Sequence, residues 1–179
     1  MPLTPLEAAA LLPERFRRWF AARGWSPREH QLALLAKARD DRSALLIAPT
    51  GAGKTLAGFL PTLVELASSA GSKGGSEKNL VSTGRGVKRT GGLHTLYISP
   101  LKALAVDIAR NLETPIAQME LSIKVETRTG DTPVSRRQRQ RRYPPDILLT
   151  TPEQLALLLS SDDSSSASCS GVVSRMSGG

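Results

Sequence analysis

Between Pro13 and Gly24 the apolar residues Phe16, Trp19 and Phe20 fall at i, i+3 and i+4, which predicts an amphipathic helix ended by Gly24. Upstream, Thr4-Pro5-Leu6-Glu7 reads as a capping box with proline at the first helical position. Ser26-Pro27-Arg28-Glu29 repeats that pattern and predicts a helix to about Arg39, with Leu32 and Leu35 facing inward. The helical period then breaks. Ser43–Ala48 (SALLIA) is a short continuous apolar run, suited to a strand buried on both faces. A glycine-rich stretch over 49–53 leads into a helix from Lys54 to about Ala70, where Pro61 should kink it or mark an early boundary. His94–Ser99, Ile123–Thr127 and Asp146–Thr150 read as three further strands. The helix expected from Pro100 carries Leu101, Leu104, Ala105, Ile108 and Leu112 on one stripe. Ser135–Arg142 is short and very basic, and Pro152–Leu159 opens another helix.

Strands that alternate with helices, each apolar on both sides, predict an α/β fold with a parallel sheet flanked by helices. At 179 residues the chain can form one such domain with its own core, but not two. Residues 1–42 read as amino-terminal helices and 43–159 as the sheet-bearing domain. Within the latter, 71–92 is rich in Gly, Ser and Lys, has no periodicity, and reads as a flexible insertion. From Ser160 onward nine of the last twenty residues are serine and three are glycine, so 160–179 is expected to be a disordered tail.

Composition narrows the setting. No apolar run approaches the roughly 20 residues of a membrane span, and no basic-then-apolar leader opens the chain. The one cysteine, Cys169, excludes a disulfide framework and makes a cytoplasmic location the default. The net charge of +8 is concentrated: 71–92 and 128–142 together carry +9, leaving the remainder at −1. Two basic segments on a near-neutral body suit a phosphate backbone, and they equally suit solvated surface.

The most specific motif is Ala48-Pro49-Thr50-Gly51-Ala52-Gly53-Lys54-Thr55, which has Walker A spacing with Ala48 in the leading glycine's place. Small residues at Gly51, Ala52 and Gly53 let backbone N–H groups converge on a phosphate. The following helix turns its positive dipole end toward it. Lys54 supplies a point charge to the β and γ oxygens, and the Thr55 hydroxyl is a ligand for Mg2+. This loop, with Thr50 at its mouth, implies ATP-type nucleotide binding but not what the energy is used for.

Further stretches carry a family resemblance. Gly24-Trp25-Ser26-Pro27-Arg28-Glu29-His30-Gln31 resembles the Q motif of superfamily 2 helicases, in which a glutamine reads adenine and an aromatic residue packs on the ring. Gln31 and Trp25 take those places, and the Gln31 amide can both donate to and accept from adenine. An ordinary glutamine on a helix surface is the alternative. Ser99-Pro100-Leu101-Lys102-Ala103-Leu104-Ala105 resembles motif Ia, and Thr150-Thr151-Pro152-Glu153-Gln154-Leu155 resembles motif Ib. Thr127-Arg128-Thr129-Gly130-Asp131 resembles the threonine–glycine–aspartate signature of the same superfamily. All three sit at strand ends, where doubly wound sheets place ligands. Together they resemble the large helicase-related DEXH-box proteins, more narrowly the bacterial ligase-associated subgroup, over about 14–159 apart from 71–92. The resemblance implies an incomplete RecA-like P-loop domain and an ATP-driven translocase that unwinds DNA or DNA–RNA duplexes 3′ to 5′ in DNA repair. It also implies that Pro100, Lys102, Arg128, Gly130 and Thr151 hold single-stranded or duplex DNA, with DNA ligase or repair proteins as partners.

The chain departs from that family in showing no Walker B strand ending in Asp-Glu-x-His, whose acids would hold magnesium and activate water. Asp162-Asp163 follows helical residues and precedes serines, so no catalytic residue is assigned. The expectation is a truncated chain that binds ATP weakly and does not turn it over alone. Two other readings stand beside it. A small-molecule kinase of the P-loop class would leave Gln31 and the strand-end motifs without a role. A non-catalytic nucleic-acid-binding fragment would bind DNA with steep salt dependence regardless of ATP. The five arginines within Arg136–Arg142 fit either DNA contact or a solvated helix face.

Overall fold

A computed structural model of the chain describes residues 11–70, 92–160 and 173–175. Among the described residues are six helices and four strands: α1 Glu14–Ala22, α2 Glu29–Arg39, α3 Lys54–Ala70, β1 Thr95–Ile98, α4 Lys102–Gln118, β2 Val125–Arg128, α5 Val134–Arg142, β3 Ile147–Thr150, α6 Pro152–Ser160 and β4 Val173–Arg175. The strands form one parallel sheet in the order β2-β3-β1-β4. Its register aligns Ile98 and Arg128 with Thr150, so the carboxyl ends of β1, β2 and β3 lie side by side.

Burial follows position in the sheet. Central β3 is covered at every residue, β1 alternates, and outer β2 is only half-buried except at Arg128. Helix α3 lies on β1: Phe59 packs on Tyr97 at 5.5 Å between ring centroids, and the Thr62 and Thr95 hydroxyls share a hydrogen bond of 3.1 Å. One hydrophobic cluster joins Phe16 and Phe20 of α1, Leu32 and Leu35 of α2, Leu63 of α3 and Ile108 of α4. The amino-terminal helices therefore share the core of the sheet-bearing part, and each such buried side chain stabilises it by about 1.5–3 kcal/mol.

Several sequence expectations need correction. Residues 43–48 form no strand: Leu45 is 83% and Ile47 86% exposed. An apolar run becomes a parallel strand only when a neighbouring strand receives its N–H and C=O groups, and here β3 and β4 occupy the two sides of β1. Helix α2 is capped at Arg28 rather than Ser26, because the Gln31 Oε1 at its third position accepts the Arg28 N–H at 2.9 Å. Helix α4 starts at Lys102, two residues after Pro100, and leaves Leu101 and Leu104 exposed while Ala105, Ile108 and Leu112 are buried. Pro61 sits inside a continuous α3 and bounds nothing. Within the tail expected to be disordered, Val173–Arg175 pairs in parallel with β1, since three extended residues suffice to satisfy an open edge. The Thr4–Glu7 capping box, Cys169, Asp162-Asp163 and nearly all of 71–92 lie outside the described residues.

Candidate nucleotide loop and strand-end cationic surface

The turn from Pro49 to Lys54 is built by backbone geometry that only glycine adopts at little cost. Gly51 has φ of 79° and Gly53 of 73°, both left-handed, and the Ala52 N–H closes back on the Pro49 carbonyl at 3.2 Å. Lys54, the first residue of α3, donates from Nζ to the Ala48 carbonyl at 2.6 Å and so spans the mouth of the loop. Thr50 is exposed, and Thr55 is partly buried in the first turn of α3. The loop thus brings Thr50, Gly51, Ala52, Gly53, Lys54 and Thr55 together at one helix amino end, where peptide dipoles favour an anion.

Gln31 reaches this loop from α2. It is 3% exposed, and the Arg28 N–H fixes its oxygen, so Nε2, the donor, is turned toward the loop. That nitrogen lies 3.5 Å from the Gly53 carbonyl, and a Cβ placed on Gly53 would meet it at 3.0 Å. Gln31 is therefore buried against the loop rather than lying on the solvent face of α2. Trp25 is half-exposed and packs edge-on to Trp19 at 6.0 Å; the Arg23 guanidinium sits 4.7 Å from the Trp19 ring and 5.1 Å from the Trp25 ring. Arg23 and Trp19 both donate to Gln118 Oε1, tying this aromatic group to the end of α4.

The second assembly lies at the carboxyl ends of the strands. Lys102 at the start of α4 pairs with both oxygens of Asp131 at 3.1 Å, and its Nζ lies 3.5 Å from where a Cβ on Gly130 would stand. Thr151 is buried between β3 and α6. Glu153 lies in the first turn of α6: its own backbone N–H, then the Thr151 hydroxyl, hold its carboxyl below the usual range, with a smaller contribution from the Lys102 charge. Pro100 is exposed beside this group. Arg128 ends β2 and is 5% exposed, while the Thr150 hydroxyl donates to its carbonyl at 2.8 Å. The strand ends therefore gather Pro100, Lys102, Arg128, Gly130 and Thr151 on one edge.

The basic helix α5 is neither a free DNA-binding face nor a purely solvated one. Arg139 donates to Glu126 at 2.9 Å, Arg136 meets it at 3.5 Å, and Gln140 donates to it at 2.8 Å. Burial raises the Glu126 pKa, but Gln140, Arg139 and Arg136 outweigh it and hold the carboxyl below its usual value. Arg137 donates to the carbonyls of Thr132 and Gly130, both at 2.7 Å, and thereby pins the turn from Thr129 to Thr132. Sequence reasoning missed Asp131, Glu126 and Arg137. Asp131 was present in the quoted signature, whereas nothing local could show that Glu126 would neutralise arginines ten and thirteen positions away.

A glycine-bearing phosphate loop heading a helix beside a parallel sheet, with cations at the strand ends, defines a P-loop nucleotide-binding domain. Residues 28–173 match the DEAD/DEAH box helicases, and the chain belongs to that family. It is similar to the Lhr helicase/uracil glycosylase of Escherichia coli (strain K12), with 39% identity over 147 residues covering 74% of this chain and 9% of that protein. It is also similar to the Lhr helicase/probable uracil glycosylase of Mycolicibacterium smegmatis, with 38% identity over 132 residues covering 68% of this chain and 8% of that protein. Among solved structures, Mycobacterium smegmatis helicase Lhr bound to ssDNA and AMP-PNP superposes with a TM-score of 0.68 at 35% identity, covering 85% of this chain and 18% of that one. The chain thus spans less than a tenth of the length of those two curated relatives. The resemblance to large helicase-related proteins and the RecA-like parallel fold are both borne out. No helix among the described residues is long and apolar enough to cross a membrane.

Proposed function

We propose that this chain supplies the ATP-binding and strand-holding part of a DNA-dependent helicase motor. The observation that carries the proposal is the left-handed glycine loop heading α3 with Gln31 seated against Gly53. The residues fit a nucleotide triphosphate: the loop is lined by small residues, Lys54 already bridges its mouth, and Thr55 follows in the first helical turn. In this reading Gly51, Ala52, Gly53 and Lys54 hold the phosphates, Thr50 borders them, and Thr55 binds Mg2+, which would neutralise phosphate charge. Trp25 and Gln31 recognise the adenine. Pro100, Lys102, Arg128, Gly130 and Thr151 hold one DNA strand, or the DNA strand of a DNA–RNA hybrid, along the strand ends.

Unwinding 3′ to 5′, service in DNA repair and association with a DNA ligase rest on the likeness to Lhr helicases and on nothing else in the chain. We further infer that these residues bind ATP without turning it over, because no described strand ends in the Asp-Glu pair that would complete the Mg2+ site and activate water. The test is an ATP titration of wild type and Lys54→Ala, with and without single-stranded DNA, followed by an ATP hydrolysis assay. Binding that is equal in both proteins would remove the nucleotide reading, and brisk DNA-stimulated hydrolysis would remove the inference of inactivity. A second reading, nucleic-acid binding independent of ATP, is favoured by the strand-end cations and predicts DNA affinity unchanged by nucleotide.

A further inference from the structure

The aromatic group at the end of α1 carries an arginine that neither the phosphate loop nor the strand ends employ. Three backbone bonds close the helix there: the Arg23 N–H to the Phe20 carbonyl at 3.1 Å, the Gly24 N–H to that of Ala21 at 2.9 Å, and the Trp25 N–H to that of Phe20 at 3.0 Å. Gly24, with φ of 64°, allows the reversal. The Trp25 backbone is therefore fixed, but its indole is 53% exposed and would change rotamer freely if nothing touched it. The Arg23 guanidinium restrains it, lying 5.1 Å from the Trp25 ring and 4.7 Å from the Trp19 ring, while the two indoles meet edge to face at 85°.

The arginine is itself tethered. Its Nη2 donates to Gln118 Oε1, which also accepts the Trp19 Nε1–H at 2.9 Å. Gln118 is the last residue of α4, and that end is anchored in the core by the buried Met119 and Leu121. The Glu120 N–H to the Ala117 carbonyl at 3.0 Å and the Leu121 N–H to that of Ile116 at 2.9 Å close it. Glu14, which lines the same groove between α1 and the end of α4, is already held by Arg17 and Arg18 and does not draw Arg23 away. A planar cation stacked on one face of an indole leaves the opposite face for a flat ring.

The geometry points to Arg23, tethered by Gln118, as a positioning residue that holds the Trp25 indole ready to stack on the adenine of a bound nucleotide. This assignment rests on the proposed adenine contact of Trp25. An indole ordered in advance spares the nucleotide the cost of ordering it, which for one side chain corresponds to a roughly two- to tenfold change in affinity.

The experiment titrates the full chain with ATP and, separately, with inorganic tripolyphosphate, which offers the phosphate loop its charges but no ring. Trp25→Ala should weaken ATP binding and leave tripolyphosphate binding unchanged. Arg23→Met should weaken ATP binding about two- to tenfold, with the same indifference to tripolyphosphate. Gln118→Leu should reproduce that loss, whereas Gln118→Glu, which keeps an acceptor for Arg23, should retain wild-type affinity. If Trp25→Ala binds ATP as wild type does, the adenine contact itself falls and the positioning role falls with it. A loss in Trp25→Ala beside wild-type affinity in Arg23→Met leaves the contact standing and overturns the positioning role alone. Equal losses of ATP and tripolyphosphate in Arg23→Met would make the arginine a strut of the fold, which also overturns the assignment. Weaker binding of a 12-nucleotide oligothymidylate by Arg23→Met without nucleotide would give the indole pair to a nucleic-acid base, with the same consequence. If the methionine variant fails to fold, the contrast between Gln118→Leu and Gln118→Glu carries the same test.

Discussion

The contact between Gly53 and Gln31 can be broken in a way that isolates its contribution. Gly53→Ala places a methyl group at a residue with φ of 73°. A left-handed alanine costs about 1–2 kcal/mol on its own. The new Cβ would also stand 3.0 Å from Gln31 Nε2, too close to remain. Gln31 cannot simply withdraw, because it is buried and its oxygen holds the Arg28 N–H at 2.9 Å. Relief therefore costs about one neutral hydrogen bond, roughly 0.5–1.5 kcal/mol. In urea unfolding, Gly53→Ala should lose about 1.5–3.5 kcal/mol in the wild-type background and only about 1–2 kcal/mol in Gln31→Ala. The double variant should thus be more stable than the sum of the single losses by about 0.5–1.5 kcal/mol. Losses that add to within about 0.3 kcal/mol would refute the packing argument, and with it the seating of Gln31 on the loop.

Other outcomes follow from the same structure. Glu126 has a lowered folded pKa, so its contribution is present above its ordinary value of 4.5 and fades as pH falls through the lower folded value. Wild type should therefore lose more stability than Glu126→Gln when chemical unfolding is compared at pH 6 and about pH 3, and equal losses would contradict the pairing with Gln140, Arg139 and Arg136. If Trp25 packs on adenine, ATP should quench part of the emission of the two tryptophans, and Trp25→Phe should abolish that quench while leaving the Trp19 signal; an identical quench in the variant rejects Trp25 as the adenine platform. Leu45→Ser with Ile47→Ser should alter stability by no more than about 0.5 kcal/mol each and reduce light scattering of concentrated samples, since both side chains face solvent. A loss of several kcal/mol would show that the segment is covered.

Much of this architecture was legible because it depends on local pattern. Phe16 and Phe20, Leu32 and Leu35, and Ile108 and Leu112 announce their faces by spacing alone. Strands β1 and β3 fall within a residue of their apolar runs. The phosphate loop was legible for a similar reason, since a left-handed turn needs glycine at Gly51 and Gly53. Pairing was not legible. Whether Ser43–Ala48 becomes a strand depends on which chain segment lies beside it, and no run of side chains encodes that. The same limit hid Val173–Arg175 among serines. Charge was misleading in its own way: a count of arginines in α5 ignores that Glu126 and two backbone carbonyls already engage Arg136, Arg137 and Arg139. Conversely, nothing in Val125–Arg128 marks the arginine as the covered member of its strand.

The bond from Lys54 to the Ala48 carbonyl fastens the mouth of the loop like a clasp. Ala48 belongs to a stretch with no ladder of its own, so this one ammonium secures that stretch to the head of α3. A phosphate that recruits the lysine must first unfasten it, surrendering a charge-assisted bond of about 1.5–3 kcal/mol. An anion that draws the lysine inward would therefore bind roughly ten- to a hundredfold more weakly than one that met the ammonium unfastened.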